Sequence, residues 1–197
     1  MAILTMPAVP GIKELKPTLR QPTQINRAEF TGKRRGVKLA AAPRWMFAVA
    51  MAPVRGEAAM KPWRAFLALC EGQAGQFRLP VTERPQGRAS RAGAVVDGAG
   101  QIGYQVALRG LLAGDVIEAG EFLTIGGQLL LVTASAVVAN GKATVGIRPF
   151  LWAPPADGSA VEATRPYAIV SMSEDTASYA AKVGQEYEVA FACEESR

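Results

Sequence analysis

Asp115, Glu118 and Glu121 form the densest group of carboxylates in the middle of the chain, and a pair of carboxylates is what acid/base hydrolysis of a glycoside requires. They surround a predicted turn at 113–115, which reads as solvated loop charge and not as a catalytic pair. Histidine is absent altogether, which removes Ser/His/Asp and Cys/His catalysis, histidine metal sites and the ordinary pH switch. The two cysteines, Cys70 and Cys193, have no CxxC spacing and no further ligands with which to complete a zinc site. They are expected to be buried thiols. Any catalysis would have to run through carboxylates, lysine or tyrosine. With no such set assembled, the sequence predicts a protein that is not an enzyme, with no cofactor and no metal.

Three further features invite a binding function. GAGQIG at 98–103 fits a GxGxxG pattern, but it opens a predicted strand, so no helix N-terminus is available for a pyrophosphate. Lys33, Arg34 and Arg35 sit between glycines at a predicted hairpin tip, placed to touch phosphates or an acidic neighbouring subunit, or simply solvated. Trp45, Trp63 and Phe66 fall on predicted core faces. Trp152, close to Pro154 and Pro155, and Tyr104 are the aromatics that a carbohydrate-binding module would stack on a sugar. For Trp152, packing between domains is the competing expectation.

The elements that must position these residues read mainly as strands. At 197 residues, the chain can bury about 70% of the surface that its unfolded form exposes, without disulfides. Residues 1–23, with Pro7, Pro10, Pro17 and Pro22, are predicted to form an extended N-terminal arm. Strands follow at 24–30 and 37–39 around a turn at 31–36. In the next strand, 44–51, Trp45, Phe47, Val49 and Met51 share one face. The period then changes: Met60, Trp63, Phe66, Leu67 and Cys70 recur as on one helical face, giving a helix near 57–70 that should start between Glu57 and Lys61, with Pro62 in its first turn.

A strand at 76–79 ends at Pro80, and 81–100 reads as a connector. At 101–109, Ile102, Tyr104, Val106 and Leu108 alternate on one predicted face. Turns are signalled at 113–115, Gly126-Gly127, Asn140-Gly141 and Asp157-Gly158. Strands are also expected at 142–148, with Ala143, Val145 and Ile147 inward, and at 167–172 and 185–193. In the last of these, Tyr187, Val189 and Phe191 point inward. The fold class expected is therefore mainly β: a β-sandwich-like domain with one helix (24–80 plus 166–197), interrupted by an inserted small β-barrel or meander domain (81–165).

Charge is unevenly distributed. Residues 1–91 hold 16 Lys/Arg and 5 Asp/Glu, and residues 92–197 hold 6 and 12, for a net charge of +5. Such asymmetry suits nucleic-acid binding, or a basic face of one subunit meeting an acidic face of another. Residues 122–141 carry no charge, a length that would span a membrane, but their glycines and polar residues predict two strands joined by a turn and no membrane span. The first residues carry no cation before the apolar stretch and contain two prolines, unlike a secretory signal, so synthesis is expected in the cytoplasm.

Several phrases of the sequence resemble the distal tail proteins of long-tailed, siphovirus-like bacteriophages: WRAFLA (63–68), GQAGQFRLP (72–80), AGDVIEAGEFLTIGGQ (113–128), ANGKATV (139–145) and RPFLWAPPADGSAV (148–161). The resemblance covers about residues 24–193 and carries no catalytic residue. It implies a structural virion protein of the tail tip and baseplate, a homohexameric ring joining the tail tube protein to the baseplate hub protein. Receptor-binding or side-fibre proteins are further implied partners. The chain departs from the family in carrying its second β domain as an insertion. A carbohydrate-binding module contacting the host surface is the alternative expectation, and a nucleic-acid-binding protein using the basic first half is the third.

Overall fold

The computed structural model describes residues 2–39, 43–87 and 89–196. In chain order they form β1 (Ile12–Arg20), β2 (Thr23–Arg27), β3 (Arg34–Lys38), β4 (Arg44–Met51), β5 (Val54–Arg55), α1 (Glu57–Leu69) and β6 (Gln76–Pro80). A 3-10 turn at Ala89–Gly93 leads to β7 (Val95–Val96), β8 (Gly103–Arg109), β9 (Val116–Ile117), β10 (Phe122–Ile125) and β11 (Gln128–Ala134). Then come β12 (Ala136–Val137), β13 (Lys142–Leu151) and β14 (Val161–Glu162), and last β15 (Tyr167–Met172), β16 (Tyr179–Lys182) and β17 (Glu186–Glu195). The protein is mainly β, with one α-helix among the described residues.

The first sheet has the order β1-β4-β17-β15-β6, with β16 and β5 pairing to the first half of β17. Strands from the two ends of the chain therefore interleave, and β17 lies directly against β4. The alternation read from the sequence is the packing: Trp45, Phe47, Val49 and Met51 of β4 are buried and meet Met60, Trp63, Phe66 and Leu67 of α1. Edge-to-face aromatic pairs run from Trp63 to Phe66, on to Phe77 and then to Phe191, with ring centroids 5.2–5.9 Å apart. Such pairs add to the hydrophobic gain of burial.

Two expectations change. Residues 12–20, predicted to belong to an arm, are the edge strand of this sheet, pairing from Ile12 opposite Met51 to Arg20 opposite Arg44 with one register shift between Ile12 and Glu14. Pro17 is compatible with that place because an edge strand has one side that needs no donor. The residues before β1 are tied down too: Leu4 donates to Gln76 O (2.7 Å), and Trp63 Nε1 donates to Val9 O (2.9 Å). In addition, α1 starts at Glu57, inside the expected range of 57–61, but this makes Pro62 its sixth residue, beyond the first turn. Pro62 has no N–H to give the carbonyl four residues earlier, and the burial of Met60 and Trp63 on either side of it offsets that loss.

The second sheet has the order β14-β10-β11-β13-β8-β7. Its ends approach each other through Val95 opposite Ala160 and the hydrogen bonds of Val96 N to Ser159 O (2.9 Å) and Val161 N to Ala94 O (3.0 Å), so the sheet is a nearly closed barrel. Its hairpin turns follow turn chemistry: Gly126-Gly127 and Asn140-Gly141 all have positive φ, the conformation of tight two-residue connections. Val106, Leu108, Val145 and Ile147 fill the interior. No helix is long and apolar enough to cross a membrane among the described residues. The uncharged stretch is β10, β11 and their continuation into β12.

Tyr104 and Ile102 do not join that interior. The β8–β13 register breaks where Leu151 meets Gly103, and Tyr104 stands with Arg148 and Phe150 on the outside. An irregularity of this kind changes the face to which side chains point. Ile102 precedes the strand and is 74% exposed.

The two cores are distinct but joined. Leu129 belongs to the core of the first unit, against which Phe122 and Leu131 also pack. Trp45 meets Phe122 edge to face at 5.6 Å.

Candidate assembly interface

Beyond the β1–β4 ladder lies a separate two-stranded sheet. After Arg20 opposite Arg44, the same two chain segments pair again as β2 and β3, from Thr23 opposite Lys38 to Arg27 opposite Arg34. The tip closes through Ala28 N to Lys33 O (3.0 Å) and Gly32 N to Ala28 O (2.9 Å), with Gly32 at φ +63°. The outer ribbon is exposed along its whole length.

This hairpin carries six cations, Arg20, Arg27, Lys33, Arg34, Arg35 and Lys38, against one acid, Glu29. Arg27 and Arg34 are directly opposite each other, an arrangement that is destabilising within a sheet. Among the described residues, none of the six is ion-paired. Ile25, Val37, Leu39 and a wholly exposed Phe30 share the same short ribbon. The three cations singled out by sequence, Lys33, Arg34 and Arg35, thus lie where the tip meets β3, joined by Arg27 and by the apolar residues that sequence reasoning passed over.

The two candidate glycan contacts are placed differently. Tyr104 is engaged by the Arg148 guanidinium, 4.2 Å from its ring centroid, by Phe150 edge to face at 5.9 Å, and by Lys38 Nζ at 5.7 Å. The base of the hairpin therefore rests against the barrel. Trp152 is half-buried at the end of β13, its backbone N–H donating to Gln128 Oε1 (3.0 Å), while Gln128 Nε2 donates to Phe150 O (2.8 Å).

The carboxylates expected as loop charge are divided. Glu118 is exposed. Asp115 is buried together with Arg91, which is only 2% exposed. Arg91 Nε donates to Asp115 Oδ2 (2.9 Å) and Nη1 to Glu121 Oε2 (2.6 Å), and the guanidinium also donates to Val116 O. Burial acts to lower the pKa of Arg91 and is outweighed by the bond to Asp115 and the charge of Glu121, so the group sits above its ordinary value. The cluster fastens the 3-10 turn to the barrel. It is a structural arrangement in which a buried charge keeps its partners.

Another buried acid holds the two units together. Glu195, at the end of β17, accepts from Leu129 N (2.7 Å) and Trp45 N (3.2 Å), and Trp45 Nε1 donates to Leu129 O (3.0 Å). Thr124 Oγ1 adds a reciprocal pair with the Tyr167 backbone at 2.6 and 2.9 Å. Gly127 stands at the same seam, where its φ of +85° disfavours any L side chain.

On the barrel surface, Arg109 bridges Asp97 (3.1 Å) and Asp157 (2.5 Å), and Lys142 reaches Asp97 (2.8 Å). Arg109 and the Gly98 N–H hold Asp157 down at about 2. Burial pushes the Cys70 thiol up to about 11 and that of Cys193 to about 12, so both are inert at neutral pH. No group of three or more Cys, Asp or Glu suited to a metal ion occurs among the described residues. A scan against family models gives no match, and neither does a search of the curated proteins.

Proposed function

We propose that this chain is a structural subunit of a bacteriophage tail tip, a distal tail protein that forms a ring, six-membered by its resemblance, between the tail tube and the baseplate hub. Its location is the virion, after synthesis in the host cytoplasm. Tail tube protein, hub protein and receptor-binding or side-fibre proteins are its partners, and it carries no catalytic activity. The observation that carries this reading is the hairpin of β2 and β3, which holds a fully exposed Phe30 beside unpaired, mutually opposed cations. Such a ribbon is unfavourable in an isolated chain and favourable between chains.

The sheet supports a closed assembly over an open one. Its outer strand β1 carries Pro17, Lys13 and Lys16 along the free edge, features that block indefinite edge-to-edge growth. Contact through a projecting hairpin is heterologous, and repeated heterologous contacts close into a ring when their rotation sums to a full turn. Negative-stain electron microscopy of the purified protein, with antibody labelling of intact virions, tests the proposal. Annular particles, and label at the tail tip, are expected. Label on the capsid alone would contradict the reading.

A further inference from the structure

The hairpin needs a receptor site, and a groove of about 450 Å³ on the first unit has the complementary character. Ala48, Ala50, Ala190 and Ala192 of the neighbouring strands β4 and β17 line it, and Glu14 and Glu174 border it against the single cation Lys16. Phe30 is a large apolar side chain that is fully exposed, and it lies at the same hairpin tip as Lys33 and Arg34. A wider groove, of about 810 Å³, borders the same strand β1, but Lys13, Arg78 and Arg165 outnumber Glu83 there, so it would repel the hairpin. Charge therefore selects the first groove over the second.

Topology makes the contact intermolecular. The alanine-lined groove lies at the Glu14–Lys16 end of the β1–β4 ladder, whereas Phe30 lies beyond the Arg20–Arg44 end of the same ladder, out past β2 and β3. The Arg20–Arg44 end of that ladder and the separate β2–β3 pairing both lie between plug and groove, which favours a contact between two chains over one within a single chain. We propose that the tip of the β2–β3 hairpin, with Phe30 as its anchor and Lys33 and Arg34 as its charged flank, docks in the groove between Glu14 and Glu174 of a second copy of this chain. This rests on the ring reading and specifies the surface through which the ring closes. Each subunit then donates one hairpin and receives one.

The test uses the full chain in two single variants, Phe30→Cys and Ala192→Cys, mixed in equal amounts and treated with a short bismaleimide. The native thiols Cys70 and Cys193 are buried and do not compete. A covalent dimer is expected from the mixture and from neither variant alone, and the charge reversal Glu14→Lys with Glu174→Lys should abolish it. Separately, Phe30→Ser should raise the concentration for half-assembly by about tenfold or more, as expected for an aromatic anchor, with an unchanged urea unfolding curve.

Assembly of normal mass without the mixed cross-link would overturn the docking site while leaving the ring reading intact. A chain carrying both cysteines that cross-links to itself at dilutions where it is monomeric would show that the groove is filled from within. Failure of the unsubstituted protein to assemble at any concentration would overturn the docking site and the ring together.

Discussion

At the seam between the two cores, Glu195 is 2% exposed and both of the backbone donors it faces, Trp45 N and Leu129 N, are satisfied by it. At the hairpin, Arg27 faces Arg34 and Phe30 faces solvent. Both regions join β-rich parts of the molecule, and both use charge next to aromatic or aliphatic side chains. The seam is complete within one chain; among the described residues the hairpin leaves Phe30 fully exposed and Arg27, Lys33, Arg34 and Arg35 without an ion pair. Buried polar groups are tolerated where their hydrogen bonds are made. The hairpin departs from that economy, which is the physical reason for assigning it to an interface between chains. The same contrast holds between two arginines: Arg91 is enclosed by Asp115, Glu121 and Val116 O, whereas Arg34 forms no ion pair among the described residues.

The contrast breaks most visibly if the completed regions tolerate damage. Arg91→Met leaves Asp115 charged, buried and without its guanidinium, and should cost about 3–5 kcal/mol of stability, read from urea unfolding. A loss under about 1 kcal/mol would show that water reaches the cluster. Glu195→Ala should follow, orphaning two buried N–H groups at about 1–3 kcal/mol each. If the seam couples the cores, fluorescence of the Trp45 environment and circular dichroism should still report a single transition. Two separated transitions in the unsubstituted protein would mean that the barrel and the first sheet unfold independently.

The hairpin should respond in the opposite sense. Replacing Lys33, Arg34 and Arg35 together with serine is expected to leave monomer stability within about 0.5 kcal/mol, because exposed positions without partners contribute little. Assembly should weaken, and by more at low salt than at high, since screening already removes the attraction at high salt. Salt-sensitive retention of DNA by these three residues, with assembly unchanged, would favour the nucleic-acid reading.

The smallest effect belongs to the exposed ion pair on the barrel. Asp157 is held at about 2 in the folded chain, below the ordinary value of about 3.9. A depressed acid contributes stability above its unfolded pKa and loses it as pH falls through the folded one. Asp157→Asn should therefore lower the urea midpoint slightly at pH 5, with the difference from the unsubstituted protein shrinking toward pH 2. A difference independent of pH would show that the carboxylate charge is not involved.

Much of this architecture is legible in the sequence because it is periodic or local. Alternation identifies the core face of β4, the three-and-four spacing of Met60, Trp63, Phe66 and Leu67 identifies the helix, and Gly126-Gly127 and Asn140-Gly141 announce their hairpins. What escapes is what depends on distant partners. Glu195 lies 150 residues from Trp45 and 66 from Leu129, and nothing in its neighbourhood marks it as buried. Asp115 reads as a loop charge until Arg91, 24 residues away, is brought against it. The proline content of residues 1–23 does indicate extended chain, but not that Ile12–Arg20 pairs with β4, since an edge strand and a free arm share that composition.

The central claim, that the hairpin is an arm for a second copy of the chain, is tested most directly by measuring mass in solution with and without it. Sedimentation of the full chain across a hundredfold concentration range should show a discrete closed oligomer. A variant in which residues 24–37 are replaced by a short Gly/Ser connection should sediment as a monomer with an unchanged unfolding curve. An oligomer of the same size from both proteins, or a monomer from both, would contradict the claim.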